Sequence, residues 1–312
     1  MKKLLYIPLS LQSPDGSQED DLFKAFKNHF SASLFGDALP LEEEIDVAIK
    51  WQPDVIHVHA GALDVATLKL LKNNIPGILV STWTGDARYA PIEGVLRYKD
   101  VADLFLLNTG RGQQAMYEKL LGEDAIVSWM PEVVADWQII PPKELSSGDI
   151  VFIGNHYDCF PGGEERLETL RFLTKRFGEK VKVYGEFRHE GINCLGPIPW
   201  EKVPQIYNDS YIVIGMDNYF DIPGYFTHRH LGAMATSCCL SRVFEGMESE
   251  NFINFETGIH FRNKYEAHDM IQFLLDNPAV RNKIAKTSHQ IIKDSWTYDH
   301  WVKTYKKAIE AL

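Results

Sequence analysis

Short apolar runs recur along this chain, each followed by a stretch of helical periodicity, and that alternation restricts the fold more than any other feature. "KLLYIPLS" reads as a strand, and "SQEDDLFKAFKNHF" as its helix, with Leu22, Phe23, Phe26 and Phe30 near helical spacing. The pattern repeats with the strand "DVIHVHAG" and the helix "ALDVATLKLLKNN", then with "GILVSTWTGD" and "DLFLLNTG", the latter followed by the helix "GQQAMYEKLLGE"; "AIVSWMPE" closes the series. Strands that alternate with helices pair in parallel, and apolar runs that are continuous rather than alternating imply a sheet covered on both faces. The opening "MKKLLYIPLSLQSPDG" has the basic start of a signal peptide. Its apolar run breaks at Pro8, so it reads as a first strand.

The segment "IIPPKELSSGD" (139 to 149) combines two prolines, a glycine and two serines and is the best linker candidate. The rhythm then restarts with "IVFIGN", "ERLETLRFLTKRFG", "VKVYGE", "PWEKVPQIYND", "YIVIGMD", "RHLGAMATS" and "CCLSR". These runs predict an N-terminal Rossmann-like domain over 1–140, a C-terminal one over 150–295, and a cleft between them. A last amphipathic helix over 296–312, with Trp301, Tyr305 and Ile309 spaced by four, is expected to pack back on the body.

Charge narrows the partners. A formal net charge of −11 gives no broad basic surface, which disfavours nucleic acid as a partner while leaving a local basic groove open. Cys159, Cys194, Cys238 and Cys239 show neither CxxC spacing nor the density of a disulfide scaffold, so a cytoplasmic protein is expected. No apolar stretch approaches the length of a membrane span.

Ligands of open parallel sheets bind beyond the carboxyl ends of the strands. In the first half this selects Ser10, His57, His59, Gly61, Trp83, Thr84, Gly85, Asp86 and Asn108, with Arg88 close behind. In the second it selects Gly154, Asn155, His156, Gly185, Glu186, Met216, Asp217 and Asn218. His57 and His59 share one side of a strand, but no Cys, Asp or Glu nearby completes a zinc set, and no metal is expected. His59 is the better substrate contact, with a structural histidine as the alternative. Asp86 in "TWTGDAR" is read as a general base or as the N-cap of a helix in "ARYAPIEGVLRY". "IVFIGN" followed by "HYDCFPGGEERLETL" is strand, glycine-containing loop and helix, suited to an anion although it is neither GxGxxG nor a P-loop. Arg166 on that helix is either a phosphate ligand or a solvated charge.

These strings together resemble the GT-B glycosyltransferases of the "glycosyl transferases group 1" superfamily, nearest its spore-maturation-type branch. The resemblance rests on "PDVIHVHAG", "IVFIGN", "VKVYGE", "CLGPIPWEKVPQIYNDSYIVIGMD" and above all "RHLGAMATS" (229 to 237), which is similar to the family's RxFEAMACG. It implies two Rossmann-like domains and glycosyl transfer from a nucleotide sugar, with no cofactor, no metal and no DxD motif. The acceptor, a glycan, a small molecule or a modified base, would meet Ser10, His59, Gly61, Trp83, Asp86 and Arg88, with Asp86 and His59 as the catalytic pair. The donor would meet Gly154, Asn155, Arg166, Gly185, Glu186, Met216, Asp217, Tyr225, His228, Arg229 and His230. The chain departs from the family at two positions that usually carry Glu, here Gly224 and Gly232, and no Lys follows the first C-domain loop. A non-catalytic GT-B protein is therefore the alternative, with a sugar-nucleotide epimerase behind it. On the enzyme reading, "THRH" (227 to 230) holds the donor phosphates at a helix N-terminus. Arg229 and His228 would be the donors there, and Gly232 would leave room for backbone approach.

Overall fold

The computed structural model describes residues 1–9, 18–34, 42–122, 124–187, 189–244 and 246–312. The strands are β1 (Lys3–Ile7), β2 (Ser31–Leu34), β3 (Val55–His59), β4 (Leu79–Thr84), β5 (Leu104–Leu107), β6 (Ile126–Trp129), β7 (Ile150–Ile153), β8 (Val181–Tyr184), β9 (Ile212–Gly215), β10 (Cys239–Arg242) and β11 (Ile259–Phe261). The helices between and after them are α1 (Gln18–His29), α2 (Glu42–Trp51), α3 (Val65–Asn74), α4 (Glu93–Leu96), α5 (Arg111–Leu121), α6 (Gly163–Phe177), α7 (Val203–Asp209), α8 (His228–Thr236), α9 (Lys264–Asp276), α10 (Pro278–Ser295) and α11 (Tyr298–Glu310). The chain divides into two units, Met1–Pro131 with Tyr298–Leu312, and Glu132–Thr297.

The first unit is a six-stranded sheet in the order β2-β1-β3-β4-β5-β6, every pair parallel. Its inner strands are covered on both faces, as the continuous runs required: Ile56, Val58, Val80, Phe105 and Leu107 are buried on one, and Val55, His57, Ser81, Leu104 and Leu106 on the other. Helix α3 starts where the Asp64 side chain accepts from Thr67 N at 2.9 Å, satisfying a first-turn amide. Helix α11 packs within this unit. Tyr305 donates to or accepts from Ser81 Oγ at 2.7 Å, and its ring lies 5.0 Å from that of His57.

The second unit is a five-stranded parallel sheet in the order β11-β10-β9-β7-β8. Ile150, Phe152, Val183, Ile212, Ile214 and Leu240 fill its centre. The chain passes from the first unit to the second at 131/132, ahead of the expected linker. The proline-rich 139–149 segment instead lies along the second unit. Asn208 donates to Pro141 O, buried Arg281 donates to Lys143 O, and Leu145 N–H donates to the Asn282 side chain. Among the described residues no helix is long and apolar enough to cross a membrane.

Strand order reverses direction once in each sheet, between β1 and β3 and between β7 and β9. Helices leave on opposite faces at such a point and open a crevice at the carboxyl ends of the two strands, where α/β sheets bind ligands. Edge strands β2 and β11 carry no apolar run of their own, and the sequence reading did not find them.

Candidate functional site

The switch point of the second unit is built from the ends of β7 and β9 and from two arginines that tie them together. Arg229, in the first turn of α8, donates from Nε to Ile153 O at 2.7 Å and from Nη1 to Met216 O at 3.0 Å. Arg166 reaches the same place from α6, donating from Nη1 to Asn155 O at 2.7 Å and from Nη2 to Met216 O at 2.8 Å. Both guanidiniums lie against the Phe152 ring, at 5.3 and 5.5 Å. Arg166 is 1% exposed, and burial, followed by the neighbouring Arg229 charge, lowers its pKa to about 9. Two cations so close need an anion.

Asp217 supplies one negative charge. Its carboxylate is 3.1 Å from Arg229 Nη1 and accepts from Thr227 N–H and the Thr227 hydroxyl, with His230 Nδ1 3.1 Å from its other oxygen. Burial alone would raise this carboxyl, but His230, Arg229 and Thr227 outweigh it and hold it well below the ordinary carboxylate range. Two guanidiniums thus share one buried carboxylate. Arg229 Nη2 and the Arg229 backbone N–H have no partner among the described residues, and the side chain remains 18% exposed.

Glycines shape the approach to Arg229. A Cβ on Gly154 would stand 2.7 Å from Arg229 Nη2, and one on Gly185 would stand 2.0 Å from Gly154 O, in a backbone with φ of +131° that only glycine adopts easily. Asn155 Oδ1 accepts from Glu186 N–H at 3.0 Å and joins the β7 and β8 loops, with the Glu186 side chain left exposed. Tyr225 is buried in the loop before α8, near enough to Arg166 to favour its charge.

The structure corrects several readings of the "THRH" segment. The His228 amide donates to the Glu132 carboxylate, so one first-turn donor already faces an anion from within the unit. The His228 ring is buried against Trp200 and lies 3.0 Å from Gln138 Oε1; burial, then Arg229, lowers its pKa to about 3. It is a neutral, structural ring and not a phosphate donor. His230 packs inward, its ring filling the space where Gly215 lacks a side chain. Arg166 holds loop carbonyls instead of facing a ligand or water. Gly232 is buried beside Tyr207 and His228, where an added Cβ would make ordinary contacts of 3.4 and 3.6 Å. Neither Glu132 nor Gln138 carried a motif; each reaches α8 from about 90 residues away by folding alone.

In the first unit, His59 ends β3 beside the switch point, and its ring meets the edge of Trp83 at 5.5 Å. Burial lowers the His59 pKa, opposed by the Ala60 carbonyl and by the Asp86 charge. Trp83 is anchored by its indole N–H on Met130 O at 3.0 Å. Asp86 is largely exposed, with Arg88 Nη2 3.3 Å from its carboxylate. The helix that follows starts only at Glu93 with Ile92 as its cap, which removes the N-cap reading of Asp86. Gly61 turns the chain after β3 at φ +89°. His57 is fully buried among Tyr6, Phe26, Trp301 and Tyr305, bonded to Ser81, with its pKa lowered by burial to about 3. It is core. Ser10 lies outside the described residues.

Residues 166–307 match the family model described as "Glycosyl transferase-like". Solved structures similar to the whole chain include Anabaena HepE in complex with UDP, at 12% identity and a TM-score of 0.69, covering 100% of each chain. A sucrose-phosphate synthase from Thermosynechococcus elongatus (12%, TM-score 0.67, 100% of each chain) has the same architecture. So does a glycosyltransferase from Rickettsia africae ESF-5 (12%, TM-score 0.65, 99% of this chain and 97% of that chain). No curated protein matches the sequence. The paired parallel sheets are therefore those of the GT-B architecture.

Proposed function

We propose that this chain, whose two sheets have the GT-B architecture, is a glycosyltransferase that takes a sugar from a nucleotide-sugar donor, and that the donor diphosphate is held at the switch point of the second unit by Arg229. The observation that carries the assignment is the arrangement at the ends of β7 and β9. Arg229 is fixed there on two strand-end carbonyls, yet keeps Nη2 and its own amide for a ligand, beside two glycines that hold the backbone open. As the sugar leaves, negative charge builds on the diphosphate. Preorganised donors that need no reorganisation stabilise that charge. Arg166 is a positioning residue, locking the Asn155 and Met216 carbonyls, and Asp217 orients Arg229 and the Thr227 cap.

The nucleoside half of the donor would lie along Gly154, Asn155, Gly185 and Glu186. HepE, similar in fold, was solved with UDP and with UDP-glucose, which makes UDP-glucose the first donor to try here. In the first unit the acceptor would meet His59, Trp83, Asp86 and Arg88, with Asp86 as the base that takes the acceptor hydroxyl proton. Within the fold, "RHLGAMATS" supports the spore-maturation-type branch. A second reading, donor binding without turnover, is favoured by the glycines at 224 and 232 and by the Glu132 carboxylate on the α8 amide.

Calorimetry with UDP, followed by UDP release from UDP-glucose with and without an acceptor panel, tests both readings. Saturable UDP binding and acceptor-dependent release support transfer. Binding without release under any acceptor supports the second reading, and no binding of any nucleoside diphosphate by folded protein overturns the diphosphate site.

A further inference from the structure

Two histidines and an aspartate that lie far apart in the sequence meet beside the donor loops. His156 and Asp158 follow β7, and His189 follows β8; one ring nitrogen of each histidine and one Asp158 oxygen lie within 4.8 Å of one another. The two rings stand edge to face with centroids 4.5 Å apart, and His156 Nε2 is 2.8 Å from Asp158 Oδ1. The His156 side chain is 4% exposed, whereas Asp158 is open to solvent. Nδ1 of His156 and Nδ1 of His189 are both buried with no hydrogen-bond partner.

Burying two unpartnered imidazole nitrogens side by side is costly unless something binds them. Among the described residues no hydrogen-bond partner reaches those two atoms, from the neighbouring ring or from elsewhere. We propose that His156, Asp158 and His189 form a transition-metal site of the zinc class, with a fourth position open to water. Two neutral imidazoles and a carboxylate are a borderline-soft donor set that suits zinc, cobalt or nickel better than magnesium or calcium. A tetrahedral ion with bonds of about 2.0–2.2 Å sets its ligands about 3.3 Å apart. The three ligand atoms lie within 4.8 Å of one another before any ion draws them in. The separation along the sequence explains why spacing did not reveal it.

Such an ion would clip the β7 loop to the β8 loop. Those loops already meet through His156 N–H on Glu186 O and through Asn155 on Glu186 N–H. The site does not depend on the glycosyl-transfer reading. Its effect would be to order Gly154–Asn155 and Gly185–Glu186, the backbone that faces Arg229.

The test uses full-length protein without a histidine tag, stripped with chelator and titrated with Zn²⁺ against a chromophoric competitor, with Co²⁺ absorption as a coordination signature. One equivalent should bind and raise the melting temperature, because an ion that binds only the folded chain stabilises it by mass action. His156→Ala and His189→Ala should each weaken binding at least about tenfold, as loss of one of three protein ligands does. Asp158→Asn, altered at an exposed side chain, keeps a folded test available and should weaken binding while leaving the metal-free melting temperature unchanged. Failure of the wild-type chain to bind stoichiometric Zn²⁺ overturns the site. Undiminished affinity in folded Asp158→Asn and in the folded histidine variants also overturns it.

Discussion

Replacing Arg229 by Ala separates structure from ligand binding at the switch point. Its Nε and Nη1 hold Ile153 O, Met216 O and Asp217, and Asp217 is 2% exposed. Removing one partner of a buried pair costs about 3–5 kcal/mol. Because Arg229 keeps some contact with water and Thr227 still serves Asp217, the low end, about 3 kcal/mol of unfolding free energy, is expected. The ligand effect is separate. Losing the free Nη2 donor removes one charged hydrogen bond to phosphate, about 1.5–3 kcal/mol, which is about a 10- to 150-fold rise in Kd for UDP. Urea melts give the first quantity and calorimetry well below the melting range gives the second. Arg229→Lys keeps the charge but loses the fork, and should fall between wild type and Ala in both. A folded Arg229→Ala protein with unchanged UDP affinity would falsify the diphosphate assignment.

Three further outcomes are expected. Asp86→Asn should lower turnover by about 100-fold or more if the carboxylate is the base, with an unchanged melting temperature because the side chain is largely exposed and caps no helix; retained turnover would remove it from the mechanism. Gly185→Ala forces a side chain into Gly154 O at φ +131° and should cost on the order of 2–3 kcal/mol or more in a urea melt, with unaltered stability contradicting the close approach of the two loops. His57 and His228 are held neutral, with pKa values lowered from 6.5 to about 3. The unfolded chain therefore binds protons that the folded chain refuses below pH 6.5, and stability should fall as pH drops from about 6.5 towards 3, by about 2 kcal/mol for each histidine at pH 5. His57→Gln should flatten that slope, and stability measured as level between pH 7 and 5 would contradict the buried neutral state.

Most of the architecture was legible because its cause is local. Continuous apolar runs such as "DLFLLN" and "IVFIG" are what a strand covered on both faces must be, so parallel α/β order followed from pattern alone. The strand-end rule then selected Gly154, Gly185 and Asp217 as candidates, and the resemblance of "RHLGAMATS" added Arg229, without any coordinates. Two edge strands, Ser31–Leu34 and Ile259–Phe261, escaped because a half-covered strand of three or four residues needs no apolar run. The 139–149 segment has the composition of a linker, yet its backbone carbonyls are taken by Asn208 and Arg281, and composition cannot show such partners.

What each polar group does was decided by tertiary structure. Sequence placed Arg166, His228, Arg229 and His230 near one another but could not say which would be spent on the protein itself. Folding brings Asn155 O and Met216 O to Arg166, Gln138 to His228 and Asp217 to Arg229, and leaves Nη2 of Arg229 unspent. The same holds for His156 and His189, whose meeting depends on β7 and β8 being neighbours in the sheet. Burial periodicity is written along one segment at a time. The partner of a polar group is set by contacts between segments that lie 90 and 96 residues apart at α8 and 270 apart for His29 and Asp299, and no local pattern encodes them.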